Sequence, residues 1–444
     1  MSTYRMAPAD AAWLHMDRRT NRSVVTMVMW FDEALDPEAW RAVLQSRLIE
    51  RFPRFSQRVV DRTTSVWWED VDDFRIEDHL HYATLPAPGG PAQLQRFASD
   101  LLAHPLDRSR PLWEMHLVSG YEGDGCAIVS RMHHCIADGM SLSRLMMSLT
   151  DDPREAAAAR VADEPVPPAG VGTVLGRQAR RVVHTVAQPA QTAKVALAAA
   201  RSLLRLAALP PDSHTALRGH PGERKSVVWS EPIPVDELKD TAHAHHVTVN
   251  DLVLSAMSGA LRSYLARTDG HVHDVRGVIP INLRPSDKPL PVELGNAFGL
   301  MYLGLPLSID DPLERLAELR RRTQALKNSA EPLVSYQLLG LTGRLPYEGE
   351  QAVVDLFSTK ASLVITNVVG PRRPVHLAGR AVRGTIGWPP ESGQLGLGLA
   401  IISYCGGLII GALADDELIR DPARLVADTK LELERLQAAV PAAR

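Results

Sequence analysis

Two adjacent histidines, His133 and His134, followed by Asp138 and Gly139 in the string HHCIADG, are the residues of this chain best suited to moving a proton. The residues before them alternate as a strand does. Cys126, Ile128, Ser130, Met132 and His134 fall on one face, and Ala127, Val129, Arg131 and His133 on the other. After Gly139, Leu142, Leu145, Met146 and Leu149 fall at helical spacing, so the string reads strand, loop, helix, with Asp138-Gly139 at the turn. An imidazole at a strand end can take the proton of an attacking hydroxyl and return one to a departing sulfur, which is what acyl transfer from a thioester to an alcohol requires. Strand neighbours point to opposite sides, and no H-E-x-x-H string or third ligand accompanies them, so no metal is expected at this pair. A covalent route needs an activated serine or cysteine. The chain has no G-x-S-x-G elbow, and Cys135 beside His134 lacks the setting of a cysteine hydrolase. Taken alone, the string fits an ordinary buried histidine pair and Asp-Gly turn as well as a catalytic one.

The elements around this string read as mixed helix and sheet. Residues 21–150 alternate short apolar runs with amphipathic stretches such as PEAWRAVLQSRLIERFPRF, in which Trp40, Val43, Leu44 and Leu48 sit near helical spacing. Residues 151–222 change character, opening with DDPREAAAARVADEPVPPAGVG and ending in LPPDSHTALRGHPGE, and read as a linker. From 223 onward strands and helices alternate again, closing on the helical pattern RDPARLVADTKLELERLQAAV. Thr248 and Asp251 mark a helix start, and Val253, Ala256, Met257, Ala260, Leu261 and Tyr264 share one face of that helix. Residues 393–414 carry no charge over about the length of a membrane span. The Cys405-Gly406-Gly407 break divides that run into two buried strands joined by a tight turn.

At 444 residues the chain exceeds what one core usually supports, so two domains are expected, 1–150 and 223–444. Hydrophobic residues at 45%, charged ones at 23% and a mean hydropathy of -0.10 place it among globular proteins. A net charge of -3 gives no basic surplus for nucleic acid. Three cysteines without CxxC spacing suggest neither a disulfide framework nor structural zinc, and fit a reducing cytoplasmic compartment. The N-terminal stretch has charges throughout and no apolar run of a secretory signal. Between Pro165 and Pro211 there is no acidic residue, while arginines and lysine alternate with Val, Leu and Ala. Such a basic amphipathic segment suits either an anionic lipid surface or a solvated linker helix.

HHCIADG matches the HHxxxDG signature of the acyltransferase superfamily that includes chloramphenicol acetyltransferase and peptide-synthetase condensation domains. More specifically, the whole chain resembles the bacterial wax ester synthase/diacylglycerol acyltransferase family. Further strings match that family in order: PADAAWLHMD at 8–17, RPLWEMHL at 110–117, VNDLVLSAMSGALRSYL at 249–265, PINLRP at 280–285, LGNAFG at 294–299 and ITNVVGP at 365–371. Val369 stands where relatives often carry proline.

The resemblance implies an α/β (α+β) fold of two chloramphenicol-acetyltransferase-like domains, each a mixed sheet flanked by helices, with a tunnel between them and His134 near its middle. It implies transfer of a fatty acyl group from acyl-CoA to diacylglycerol or a long-chain alcohol, without a bound cofactor. His134 would be the general base and His133 its support. Asp138 would be structural, paired with Arg284 by similarity to condensation domains. Gly139 would let backbone approach the site, its N–H helping to hold an oxyanion. Asn250 and Asp251 match an Asn-Asp motif linked to activity, although helix capping alone explains the pair and is the weightier reading. Pro111, Leu112 and Trp113 match a motif that suits the wall of an acyl channel, or ordinary core. Asn296, Phe298, Thr366 and Asn367 would complete the pocket from the second half. Association with the inner membrane face or lipid inclusions fits such substrates. The same fold also leaves open an enzyme acting on a carrier-bound polyketide or peptide intermediate, and a non-catalytic lipid-binding protein.

Overall fold

A computed structural model of the chain describes residues 2–62, 65–152, 208–285, 288–327, 329–342 and 347–440. Strands are numbered in chain order. The first large sheet has the order β13 (His376–Leu377), β14 (Arg380–Trp388), β2 (Val24–Phe31), β7 (Gly125–His133), β6 (Trp113–Tyr121), β5 (Leu80–Thr84). The second runs β11 (Phe298–Leu305), β10 (Val275–Asn282), β12 (Leu363–Val369), β15 (Leu397–Tyr404), β16 (Gly407–Asp415), β8 (Lys225–Trp229), with β9 (Ile233–Pro234) also on β16. A small sheet of β1 (Thr3–Arg5), β4 (Ser65–Asp70) and β3 (Gln57–Arg62) caps the first domain. Both large sheets mix parallel and antiparallel pairs, the two-domain mixed-sheet architecture expected.

The expected boundaries need two corrections. β14 belongs by sequence to the second half, yet it pairs antiparallel with β2 and completes the first sheet. The end of the expected linker is part of the second domain, because Leu217 is fully buried in its core and Asp212 accepts from the Arg276 N–H at 2.8 Å and the Ser362 hydroxyl at 2.5 Å. Of the basic segment read at 165–211, only 208–211 lie among the described residues.

Central strand β7 is buried along its whole length, and its two faces serve different cores. Cys126, Ile128 and Met132 pack into the first domain's own core, while Ala127 and Val129 face a cluster that includes Ala400, Ile402 and Leu413 of the second sheet. Burying both faces of a strand takes a continuous apolar run, and the exceptions, Ser130, Arg131 and His133, are therefore informative. The uncharged 393–414 run forms the β15–β16 hairpin, with Cys405 and Gly406 both at positive φ (48° and 81°) in its two-residue turn. The Val249–Thr268 helix begins at the capping box expected, Thr248 accepting from Asp251 N–H at 3.1 Å and Asp251 from Thr248 N–H at 3.2 Å.

Candidate active site

His134 lies one residue beyond the end of β7, and both halves of the chain hold it. Its N–H donates to the Ser23 carbonyl at 2.7 Å, and its carbonyl accepts from Asn296 Nδ2 at 2.8 Å. Its ring stacks on Trp13, with centroids 3.9 Å apart and planes 25° from parallel, and Phe298 lies 5.6 Å away on the other half. The residue is only 5% exposed. Nδ1 is buried without a hydrogen-bond partner. Burial drives the pKa down to about 4, and the opposing pull of the Asp138 charge does not restore it. The ring is therefore neutral near pH 7, the form that accepts a proton.

His133 engages other partners. Its Nδ1 accepts from the Cys135 N–H at 3.1 Å, its own N–H donates to the Leu112 carbonyl at 2.9 Å, and its Nε2 faces Asp17 Oδ2 at 3.8 Å. The two rings thus diverge as the alternation predicts. Cys135 is fully buried, and that burial pushes its thiol pKa well up, away from the thiolate a nucleophile needs.

The loop between the histidines and the Gly139–Ser148 helix is fixed by Asp138. This N-cap carboxylate accepts from Ser141 N–H at 2.8 Å, Ala297 N–H at 3.0 Å and Arg284 Nη1 at 2.7 Å. Burial opposes its ionisation, but the Arg284 charge and these hydrogen bonds prevail and hold its pKa below the ordinary carboxylate value. Arg284 also donates to Ser141 Oγ and to the Leu294 and Gly295 carbonyls, so one guanidinium ties together segments from both halves.

The LGNAFG string docks on this loop. Gly295 N–H donates to the Ile136 carbonyl at 2.9 Å, and Gly295 forms a parallel bridge with Ala137. Gly295 has φ +79°, a conformation that favours glycine, and a Cβ there would sit a tight 3.1 Å from Asp10 Oδ2. Asp10 Oδ1 in turn accepts the Asn296 N–H and Nδ2, each at 2.8 Å. Burial lifts the Asp10 pKa to about 6 in spite of these bonds.

The remaining sequence candidates divide. Asn296 and Phe298 lie at His134, whereas among the described residues no hydrogen bond or ring contact joins Thr366 or Asn367 to it. Thr366 is half-buried on β12, and Asn367 Nδ2 donates instead to Asn250 Oδ1 at 2.7 Å. Asp251 serves its capping box and accepts from Thr323 Oγ1 at 2.7 Å. The Pro111-Leu112-Trp113 string is core: Trp113 is 1% exposed, stacks on His79 at 4.5 Å and donates from Nε1 to the Phe55 carbonyl at 2.8 Å. Its link to the site is the Leu112 carbonyl beneath His133. Gly139 is exposed, has φ outside the left-handed region, and a Cβ there would meet nothing within 4 Å, so no contact of the chain itself demands glycine.

Sequence reasoning gave no role to Asp10, Trp13 or Asp17, although all three lie in the PADAAWLHMD string. Their spacing of three and four residues on an apolar helix and its exit was the available signal. A small cleft of about 20 Å³ lies between the two sheets, lined among others by Arg22, Val24, Arg131, Lys225 and Leu413; His134 is not in its lining.

The catalytic-domain model of the wax ester synthase/diacylglycerol acyltransferase family matches residues 6–253, and its C-terminal-domain model matches residues 294–437. This chain belongs to the wax ester synthase/diacylglycerol acyltransferase family. A probable diacylglycerol O-acyltransferase of Mycobacterium tuberculosis is 28% identical over 452 residues, covering 97% of this chain and 95% of that protein. A putative diacylglycerol O-acyltransferase of Mycobacterium bovis matches to the same extent, 28% over 452 residues with 97% and 95% coverage. The wax ester synthase/diacylglycerol acyltransferase of Marinobacter aquaeolei superposes with a TM-score of 0.71 at 20% identity, over 98% of this chain and 99% of that one. The first condensation domain of the CDA synthetase gives 0.65 at 15% identity, over 99% and 97%. These two likenesses establish the fold. In this acyltransferase, Trp13 and His134 come from the first matched segment and Asn296 and Phe298 from the second, so the site exists only where the two segments meet.

Proposed function

We propose that this family member transfers a fatty acyl group from acyl-CoA to diacylglycerol or to a long-chain alcohol, with His134 as general base and no covalent intermediate. The acceptor hydroxyl lies against His134 Nε2, which takes its proton as the oxygen attacks the thioester carbon. The tetrahedral intermediate collapses by breaking the C–S bond, and the imidazolium returns the proton to sulfur, giving ester and free CoA. An imidazolium whose pKa lies at about 4 gives that proton up readily. The open space above Gly139, at the N-terminus of its helix, suits the thioester oxygen, whose developing charge backbone N–H groups there would stabilise.

The observation that carries this reading is the neutral His134 ring, held between Trp13 of one half and Phe298 of the other. Trp13 and Phe298 must shift for an acyl chain to reach it. Such acceptors partition into lipid, so the enzyme is proposed to work in the cytoplasm at the surface of the inner membrane or of lipid inclusions. Among the described residues no helix is long and apolar enough to cross a membrane. In the test, purified protein receives palmitoyl-CoA with either dioleoylglycerol or hexadecanol, and thiol release is followed. His134→Ala is expected to abolish release with both acceptors while leaving the circular dichroism spectrum unchanged; undiminished turnover in that variant refutes the assignment.

A further inference from the structure

At the β5 edge of the first sheet, the fold gathers two imidazoles and a carboxylate that the acyl-transfer reading does not use. His81 on β5 and His116 on β6 are register partners on neighbouring parallel strands, and their rings stack with centroids 4.7 Å apart. Glu114, two residues before His116, shares that face. Its Oε1 lies 3.2 Å from His116 Nε2, and its Oε2 lies 3.8 Å from His81 Nε2. One ligating atom from each residue falls within 4.8 Å of the others.

Two histidines and a carboxylate form the donor set that holds Zn²⁺ with a fourth position left to water. Nitrogens at about 2.0–2.1 Å from a tetrahedral ion stand about 3.3 Å apart, so ligand atoms that lie within 4.8 Å of one another have to tighten by up to about 1.5 Å. The His81 side chain, 45% exposed, is free to make that adjustment. Ligating carboxylates are oriented by an outer partner. Here Arg131 donates through Nη1 to Glu114 Oε1, and its Nη2 is anchored on the His104 carbonyl, so Oε2 is left facing His81.

We propose that His81, Glu114 and His116 form a binding site for a divalent transition metal of the zinc class, which clips the edge strand β5 to β6. Among the described residues β5 pairs only with β6, so an ion bridging the two strands would hold an edge otherwise secured by one ladder. The site adds stability by mass action, because the unfolded chain does not present the three donors together.

The test uses metal-stripped full-length protein carrying Cys405→Ser, which removes the exposed thiol as a competing ligand. Zn²⁺ is titrated calorimetrically, and Co²⁺ is titrated while visible absorption is recorded. The expected result is one equivalent bound, tetrahedral Co²⁺ bands, and a Tm that rises with Zn²⁺. His81→Ala is expected to weaken Zn²⁺ binding by at least the roughly 10- to 100-fold that loss of an outer partner costs. It should also abolish the metal-dependent rise in Tm and leave metal-free acyl transfer unchanged. No stoichiometric Zn²⁺ binding by the parent, or equal affinity in a His81→Ala protein with a native circular dichroism spectrum, overturns the proposal.

Discussion

Arg284 Nη1 lies 2.7 Å from Asp138 Oδ2, joining residues 146 positions apart in the chain. The guanidinium side chain is 18% exposed and the carboxylate 3%, so the pair is largely withdrawn from water. Removing one member strands the other, and Arg284→Ala is expected to cost about 3 kcal/mol in urea unfolding. Turnover should fall with it, because the Leu294 and Gly295 carbonyls lose the same donor. Arg284→Lys keeps the charge but offers no planar fork, and should fall between wild type and alanine. A loss below about 1 kcal/mol would place the pair with surface ion pairs and remove its role in holding the loop.

The pH dependence of the site arises from two buried groups shifted in opposite senses. His134 has its pKa lowered to about 4 from 6.5, so the unfolded chain binds this proton first and stability is lost as pH falls from 6.5 towards 4. Asp10 has its pKa raised to about 6 from 3.8, so the folded chain binds that proton first and stability is lost as pH rises from 3.8 to 6. The slopes oppose one another between 4 and 6. Asp10→Asn keeps the acceptor oxygen for Asn296 and removes one slope. The variant should lose stability on acidification more steeply than wild type, by up to about 1.4 kcal/mol per pH unit, in unfolding measured across that range. Its kcat/KM should retain an acid limb near 4, set by His134, and a limb near 6.5 in either protein would show that the ring is better solvated than its packing indicates.

What the sequence disclosed was local. The β7 alternation, the Thr248 cap and the Cys405-Gly406 turn each depend on neighbours a few residues away, and periodicity or turn chemistry exposes them. Asp138–Arg284 lies beyond that reach and was legible only through resemblance. β14 falls inside the range expected for the second domain yet joins the first sheet, because alternation shows that a strand has a buried face but not which sheet it joins. Trp13 was missed for a related reason: an apolar residue on a short helix reads as core, and only the fold reveals that the ring it covers is His134. Thr366 and Asn367 were placed at the site by motif order, but β12 directs Asn367 to Asn250 instead.

The Trp113 packing separates two meanings of its motif. Trp113→Phe removes the hydrogen bond to the Phe55 carbonyl and little volume, for an expected loss of about 1 kcal/mol in stability. KM values for octanoyl-, palmitoyl- and stearoyl-CoA should change by no more than experimental error. A KM increase that grows with chain length would instead put Trp113 on the wall of the acyl channel.

Trp13 covers the face of the catalytic ring, so its substitution should register in the titration of His134 as well as in stability. Trp13→Phe keeps a stacked ring and should retain most activity with the acid limb of kcat/KM still near 4. Trp13→Ala opens a cavity beside the imidazole and is expected to cost about 3–5 kcal/mol. Water entering that space relieves the desolvation that lowers the His134 pKa, so the acid limb should move up towards the ordinary histidine value of about 6.5. The direction of that movement is the discriminating result. A merely structural Trp13 would lower the amount of folded enzyme without displacing the limb, whereas a ring that keeps His134 dry must displace it.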